Sequence, residues 1–182
     1  MATSFGIDPS LRHGSVVKVA GSGELEFEEV FSWNKKSKVS IGQTAKMTQI
    51  RQLSGAITQA IADTASGKEY VIVEFDRNSV YWRSGKLQIV TLALFIGFLT
   101  AELSQLGFRV SLFKPKEIRE FYGFGKGDKE AFQHHFSTYF RSYLQPSSYD
   151  LLLECAGSDK FDATMIAMIY HIGGALWARK KG

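Results

Sequence analysis

The chain has 182 residues, the size of one compact domain. Hydrophobic residues make up 45% and charged residues 22%, with three prolines, so the composition excludes disordered and fibrous proteins. A single cysteine, Cys155, excludes a disulfide framework and a zinc site built from cysteines, and it favours a reducing compartment. The formal net charge of +4 permits a polyanionic partner.

The first part of the chain predicts three strands and a long helix. Residues 4–7 and 15–20 are short apolar stretches separated by a turn signal, Asp8-Pro9-Ser10, and by Gly14, which predicts a hairpin. A third strand is predicted over residues 25–31. Residues 41–65 carry apolar side chains every three or four positions, which is typical of an amphipathic helix.

The middle of the chain predicts a βαβ unit. Residues 70–75, with the sequence YVIVEF, are β-branched and aromatic, which favours a buried central strand. An apolar helix is predicted over residues 85–106 and a further strand over residues 108–113. A short helix over residues 116–122 should follow.

The last part of the chain is predicted to be helical. Aromatic residues at helical spacing predict a helix over residues 128–143, which Pro146 should end. Residues 151–155 fit either a strand or a helix. The final helix is predicted over residues 159–177. Together the elements predict an α/β protein with a mixed sheet covered by helices.

Two uncharged stretches need comparison with membrane spans. Residues 87–101 and 163–178 are both shorter than the roughly 20 apolar residues that cross a bilayer. We therefore expect two buried helices and no membrane contact. The first residues lack the basic start and apolar core of a signal peptide, so we expect an intracellular protein.

Several common catalytic motifs are missing from the sequence. It contains no phosphate-binding loop ending in Gly-Lys-Ser/Thr, no Gly-x-Ser-x-Gly elbow and no His-Glu-x-x-His zinc helix. The four histidines therefore favour surface or packing roles over metal binding, and no small-molecule cofactor is expected.

Two carboxylates belong to predicted strands. Asp8 follows an apolar run directly, although an aspartate that opens a turn before proline would explain it alone. Glu74 lies within the predicted central strand, where a buried carboxylate needs a cation or a donor. An edge strand with Glu74 facing water is the alternative. Asp76, two residues later, is a rival for any role given to Glu74.

Two further carboxylates open the final helix. Asp159 and Asp162 are three residues apart and so project from one face, although helix starts favour aspartate for electrostatic reasons and as caps. The helix that follows is apolar and must be buried, which would press both side chains against the sheet. If they meet Asp8 and Glu74, the resulting oxygen-only cluster suits Mg²⁺ or Mn²⁺.

Four segments resemble, in order, the motif regions of the RuvC-type Holliday junction resolvases, which belong to the RNase H-like (retroviral integrase) superfamily. The segments are FGIDPS at residues 5–10, VIVE at 71–74, GDKE at 127–130 and DKFDA at 159–163. The resemblance implies one nuclease domain over residues 1–182, with a mixed five-stranded sheet whose first three strands are antiparallel. The Lys-Phe pair inside the last motif departs from the family and suggests a distant phage or viral branch.

The resemblance also implies a mechanism. It predicts a Mg²⁺-dependent endodeoxyribonuclease that cuts four-way junctions by paired nicks, with two Mg²⁺ ions for which Mn²⁺ could substitute. The implied metal ligands are Asp8, Glu74, Asp159 and Asp162. Lys129, in the third motif, is implied to contact the scissile phosphate or to neutralise charge in the transition state.

The implied partners are branched DNA and a second copy of the chain. The apolar helix over residues 87–106 could supply the dimer face. The implied DNA-binding residues are Arg77, Asn78, Tyr81, Trp82, Arg83, Lys86, Lys114 and Lys116. Alternatives are an RNase H-like ribonuclease, a nuclease for branched DNA in general, a non-catalytic nucleic-acid-binding domain, or an α/β domain whose acids serve only as turns and caps.

Overall fold

The fold is built on a mixed sheet of five strands in the order β3-β2-β1-β4-β5. The computed structural model describes residues 2–21, 24–34, 43–67, 69–75, 86–123, 131, 134–136, 138 and 141–179. The strands are β1 Ala2–Pro9, β2 His13–Gly21, β3 Glu26–Asn34, β4 Tyr70–Glu74 and β5 Arg109–Phe113. The helices are α1 Gln43–Thr64, α2 Lys86–Gln105, α3 Pro115–Phe121, α4 Pro146–Glu154 and α5 Asp159–Arg179.

The strand directions match the prediction from the sequence. Strands β1, β2 and β3 pair antiparallel, whereas β4 pairs parallel with both β1 and β5. The βαβ unit formed by β4, α2 and β5 is therefore confirmed. Because β1, β4 and β5 run in the same direction, their carboxyl ends meet at one edge of the sheet, which we call the carboxyl edge (Pro9, Glu74 and Phe113).

Alternation along the strands divides the core between the two faces of the sheet. Phe5, Ile7, Val71 and Val73 pack on one face with the buried side chains of α1 and α2. Val17, Val19 and Ile72 pack on the other face with α5, which supplies Ile166 and Ala167. Even-numbered positions of β1 and β4 therefore face α5.

Helix α5 lies unusually close to β1. A Cβ atom on Gly6 would lie less than 3.0 Å from the backbone carbonyl oxygen of Ala163 and the backbone nitrogen of Ala167. Two residues earlier in β1, the Ser4 Oγ atom donates a hydrogen bond of 2.8 Å to the carbonyl oxygen of Ala167. Only glycine at position 6 permits this separation between helix and strand.

The structure corrects some predictions near the end of the chain. Pro146 begins helix α4 instead of ending a helix, which suits proline because the first turn of a helix does not use its N–H groups. Residues 151–155, left open by the sequence, fall at the end of this helix. Residues 141–143 form a turn, and 134–136 are helical. The rest of the helix predicted over 128–143 lies mostly outside the described residues.

Both uncharged stretches form helices that pack against the core, as predicted, but one face of α2 is exposed. Leu99 and Leu103 of α2 and Ile166 of α5 are fully buried. Among the described helices, none is long and apolar enough to cross a membrane.

Candidate functional site

The carboxyl edge places Asp8 beside Glu74. Ile7 and Val73 are paired in the parallel register of β1 and β4, so the next residues, Asp8 and Glu74, occupy equivalent positions. Both follow the alternation that points Gly6 and Ile72 towards α5, and both are partly buried. Since β4 lies between β1 and β5, the edge-strand explanation of Glu74 is wrong. Its carboxylate is instead at the end of an interior strand.

The first turn of α5 reaches the same region. Ser4 contacts Ala167, and Gly6 lies against Ala163 and Ala167, so the helix runs back along β1 towards its carboxyl end. Continuing the same spacing brings residues 159–162 towards Asp8. Asp159 and Asp162 are both partly buried, and the Oδ1 atom of Asp162 is fully buried.

The start of α5 is capped by a serine, Ser158. The backbone N–H of Phe161 donates to the Ser158 Oγ atom at 3.3 Å, and the backbone N–H of Asp162 donates to the Ser158 carbonyl oxygen at 3.2 Å. Ser158 therefore serves as the N-cap. The positive end of the helix dipole still favours negative charge in this turn. A capping role thus does not account for Asp159.

Asp159 contacts a histidine that the sequence analysis did not select. The His13 Nδ1 atom lies 2.8 Å from the Asp159 Oδ2 atom, with 57% and 30% of the two side chains exposed. The sequence favoured surface or packing roles for the four histidines and gave no partner for His13. The available signal was the predicted hairpin, because the first residue of β2 must lie close to the carboxyl end of β1.

An open groove of about 360 Å³ adjoins this contact. Its walls come from the start of β2, the end of β3 and the start of α5, and the residues that line it are mostly polar. They are His13, Gly14, Ser15, Glu29, Ser32, Trp33, Asn34, Ser158, Asp159 and Lys160. Within the groove, the Ser15 Oγ atom donates to the Glu29 Oε1 atom at 2.8 Å. The groove therefore opens beside Asp159 at the start of α5.

Two predicted phosphate contacts are described in full. Lys114 directly follows β5 and therefore lies next to the carboxyl edge, where its backbone N–H donates to the Glu117 Oε2 atom at 2.9 Å. Lys116 lies on α3 and is 77% exposed, with its Nζ atom 3.3 Å from the Glu120 Oε1 atom. Lys114 is thus the better placed of the two for a ligand at the carboxyl edge.

The structure gives no side-chain position for the other predicted site residues. Lys86 begins α2, but only its backbone is described. The remaining ones lie outside the described residues altogether, and they are Asp76, Arg77, Asn78, Tyr81, Trp82, Arg83 and Lys129.

His171 has the packing role that the sequence favoured. It is partly buried, and its Nε2 atom lies 3.1 Å from the carbonyl oxygen of Val19. Burial lowers the pKa of this histidine, while the hydrogen bond to Val19 acts in the opposite direction.

The donor atoms of the four candidate carboxylates suit a hard divalent cation. Asp8, Glu74, Asp159 and Asp162 supply only oxygen atoms, which are the ligands that Mg²⁺ and Mn²⁺ prefer. Within the described part of the chain, no three His, Cys, Asp or Glu side chains are grouped so that they could hold one metal ion. The backbone therefore brings the donors to one edge without gathering them into a closed ligand set.

Comparison with known proteins gives no match to a protein-family model. Comparison with curated proteins gives no match either.

Solved structures do match along almost the whole chain. A structure described as T. thermophilus RuvC in complex with Holliday junction substrate has a TM-score of 0.62 at 15% identity, covering 99% of this chain and 96% of that one. A second Thermus thermophilus RuvC structure has a TM-score of 0.57 at 16% identity, covering 98% and 96%. The yeast mitochondrial Holliday junction resolvase Ydc2 has a TM-score of 0.64 at 11% identity, covering 93% and 77%. The chain therefore has the RuvC-type resolvase fold, the RNase H-like arrangement that its sequence motifs resemble.

Proposed function

We propose that the protein is a divalent-metal-dependent endonuclease that resolves four-way DNA junctions by paired nicks. One observation carries the proposal: Asp8 and Glu74 occupy equivalent positions on adjacent parallel strands, and the first turn of α5 approaches the same edge. Support comes from the fold, which a RuvC bound to Holliday junction substrate shares over nearly its whole length.

The metal ligands in this proposal are Asp8, Glu74, Asp159 and Asp162. When bound, a pair of Mg²⁺ ions stabilises the attacking and leaving oxygens of a phosphodiester displacement, and Mn²⁺ could replace them. The chain's own part is to hold four carboxylates on rigid strand ends and a capped helix. Lys129 and Lys114 would neutralise charge on the phosphate, and the nick would leave 5′-phosphate and 3′-hydroxyl ends.

Charge favours a cation at this edge. Two carboxylates 4 Å apart repel each other by about 1–4 kcal/mol at effective dielectric constants of 80 to 20. A divalent cation bound between the proposed ligands would reduce such repulsion, so metal binding and the position of the first turn of α5 would be coupled.

The exposed face of α2 supports a homodimer. Val90 and Leu94 are 53% and 39% exposed, and Ala93, Gly97 and Ala101 are exposed on the same side of the helix. This apolar stripe has the three- and four-residue spacing of a helix–helix interface. In the proposed dimer each copy would cut one of two opposite strands of the junction.

The DNA contacts of the proposal come from the segment after β4, which lies outside the described ranges, and from three lysines on α2 and near α3. Arg77, Asn78, Tyr81, Trp82 and Arg83 follow β4 and would contact the centre of the junction, where arginine and aromatic side chains can stack on unpaired bases. Phosphate contacts would come from Lys86, Lys114 and Lys116.

The first test is cleavage of a labelled four-way junction. A linear duplex and an RNA–DNA hybrid of equal length serve as comparisons, each with Mg²⁺ and with chelator. We expect symmetric paired nicks in the junction alone, lost on chelation. Cutting of the hybrid would replace the proposal with a ribonuclease, and binding without cutting under every metal condition would leave a non-catalytic nucleic-acid-binding domain.

A substitution separates catalysis from DNA binding. Asp162→Asn removes a charge from the proposed ligand set and should reduce cleavage on the order of 100-fold or more, because each ~1.4 kcal/mol of lost transition-state stabilisation costs a factor of ten. Junction binding in a gel-shift assay should persist. The matched control is Asp150→Asn, an exposed aspartate on α4. Equal loss of cleavage in both variants would contradict the assignment.

A further inference from the structure

The geometry points to His13 as a positioning residue that fixes the carboxylate of Asp159 for metal binding. This inference rests on the proposed function, because it takes Asp159 as a metal ligand. It adds a residue from outside the four acidic motif segments. The carrying observation is the 2.8 Å contact between the His13 Nδ1 atom and the Asp159 Oδ2 atom, two residues that are 146 positions apart.

The turn that presents His13 is rigidly built. The Ser10 Oγ atom donates to the carbonyl oxygen of His13 at 2.6 Å and accepts the backbone N–H of His13 at 3.0 Å. The Trp33 Nε1 atom donates to the carbonyl oxygen of Ser10 at 2.9 Å. Trp33 is itself buried, so the turn is anchored to the core. His13 is exposed, but its backbone is held on both sides.

Gly14 contributes to the same anchoring. A Cβ atom at position 14 would collide with the Trp33 ring and would lie 2.5 Å from the carbonyl oxygen of Asp8. The indole therefore lies directly against the backbone beside His13. One compact unit thus connects the carbonyl of Asp8, the turn and the imidazole.

The chemistry of the contact fixes which nitrogen carries hydrogen. An ionised carboxylate only accepts hydrogen bonds, so the Nδ1 atom of His13 must donate to Asp159. One oxygen of Asp159 is thereby oriented, and the other keeps its lone pairs for a metal ion. Groups that orient metal ligands in this way typically change metal affinity 10- to 100-fold when they are removed.

The two partners belong to different elements. His13 begins β2, and Asp159 begins α5, whose cap is made by Ser158. Without the histidine, the Asp159 side chain would lose the hydrogen bond that orients it. The histidine therefore removes rotational freedom that metal binding would otherwise have to remove.

The experiment measures metal binding directly, on the full chain and without DNA. Mn²⁺ is titrated into the protein, and free Mn²⁺ is followed by electron paramagnetic resonance. We expect His13→Ala to raise the Kd for Mn²⁺ about tenfold, whereas His13→Asn, which keeps a donor at the Nδ1 position, should stay within about twofold of wild type. His134→Ala is the matched control, because it removes another exposed imidazole.

A second readout uses junction cleavage at varied Mg²⁺. The Mg²⁺ concentration for half-maximal rate should rise in His13→Ala by the same factor as the Mn²⁺ Kd, while the rate at saturating Mg²⁺ stays within about twofold of wild type. Melting temperatures of both His13 variants check that the fold is intact, and the 57% exposure of the side chain favours this.

Two outcomes would overturn the inference. Unchanged or tighter Mn²⁺ binding by His13→Ala would mean that His13 does not prepare Asp159 for the ion. Binding by His13→Asn as weak as that of His13→Ala would mean that the imidazole acts by something other than its donor. If wild type cuts junctions and either result is found, only this inference fails. If metal binding depends on His13 but no junction is cut, the proposed function fails instead.

Discussion

Replacing Gly6 by alanine tests whether the close contact between α5 and β1 sets the geometry of the site. The added Cβ atom would lie less than 3.0 Å from two backbone atoms of α5, the Ala163 oxygen and the Ala167 nitrogen, and 3.0 Å from the Ala167 Cα atom. No side-chain rotation can relieve these overlaps, since all three atoms belong to the backbone. The helix itself must move away from the strand.

Gly6→Ala should lower both the stability of the fold and the rate of cleavage. Overpacking of a well-packed core typically costs about 1–3 kcal/mol, and a rigid backbone obstacle should bring Gly6→Ala to the upper end, about 3 kcal/mol. A chain of this size then loses roughly 6–12 °C of melting temperature. The helix must retreat by more than 1 Å to restore ordinary contact. A misplacement of about 1 Å can already cost about 100-fold in rate.

The assay pairs thermal unfolding with junction cleavage under saturating Mg²⁺. Gly55→Ala is the matched control, because a Cβ atom at this exposed α1 position meets no atom within 4 Å. It should stabilise the protein by about 0.5–1 kcal/mol and leave cleavage unchanged. Wild-type stability together with wild-type cleavage in Gly6→Ala would refute the reasoning.

Three further predictions concern the cap, a buried histidine and the dimer. Ser158→Ala should destabilise the protein by about 1 kcal/mol in chemical denaturation, because the Phe161 N–H loses its partner; no change would argue against the cap. The pKa of His171 is lowered in the folded state, so the unfolded chain binds a proton at higher pH than the folded chain does. Stability should therefore fall as the pH drops below 6.5. In melting curves between pH 7 and 5, His171→Gln should reduce this dependence of the melting temperature on pH. Leu94→Glu should convert the proposed dimer to a monomer in sedimentation, whereas Glu120→Gln on α3 should not.

Much of the fold could be predicted from local patterns. Turn signals beside β1 and the β-branched run of β4 identified strands, and the uncharged length of α2 identified a helix that packs against the core. Helix α4 could not be predicted, because the apolar run over residues 151–155 is too short to show either period. Proline can occupy the first turn of a helix or follow the end of one, so Pro146 alone does not show whether a helix begins or ends there.

Only those parts of the candidate site that leave a mark in the local sequence could be predicted. Asp8 and Glu74 stand out because charged residues at the ends of apolar strands need an explanation. The contact between His13 and Asp159 gives no local signal, since the two residues meet only when α5 folds back over the sheet. The need for glycine at position 6 is hidden in the same way, because it arises from the backbone of a helix more than 150 residues later.

The position of α5 against β1 also has a consequence during protein synthesis. The hydrogen bond from Ser4 to Ala167 joins residues 163 positions apart, so this face of β1 stays uncovered until the last helix leaves the ribosome. At 5–20 residues per second, that interval is roughly 10–30 s. Until α5 is made, Val17, Val19 and Ile72 lack the helix that packs against them in the folded protein. A nascent chain carries Asp8 and Glu74 without Asp159 and Asp162, so the proposed nuclease could become active only after α5 has been synthesised.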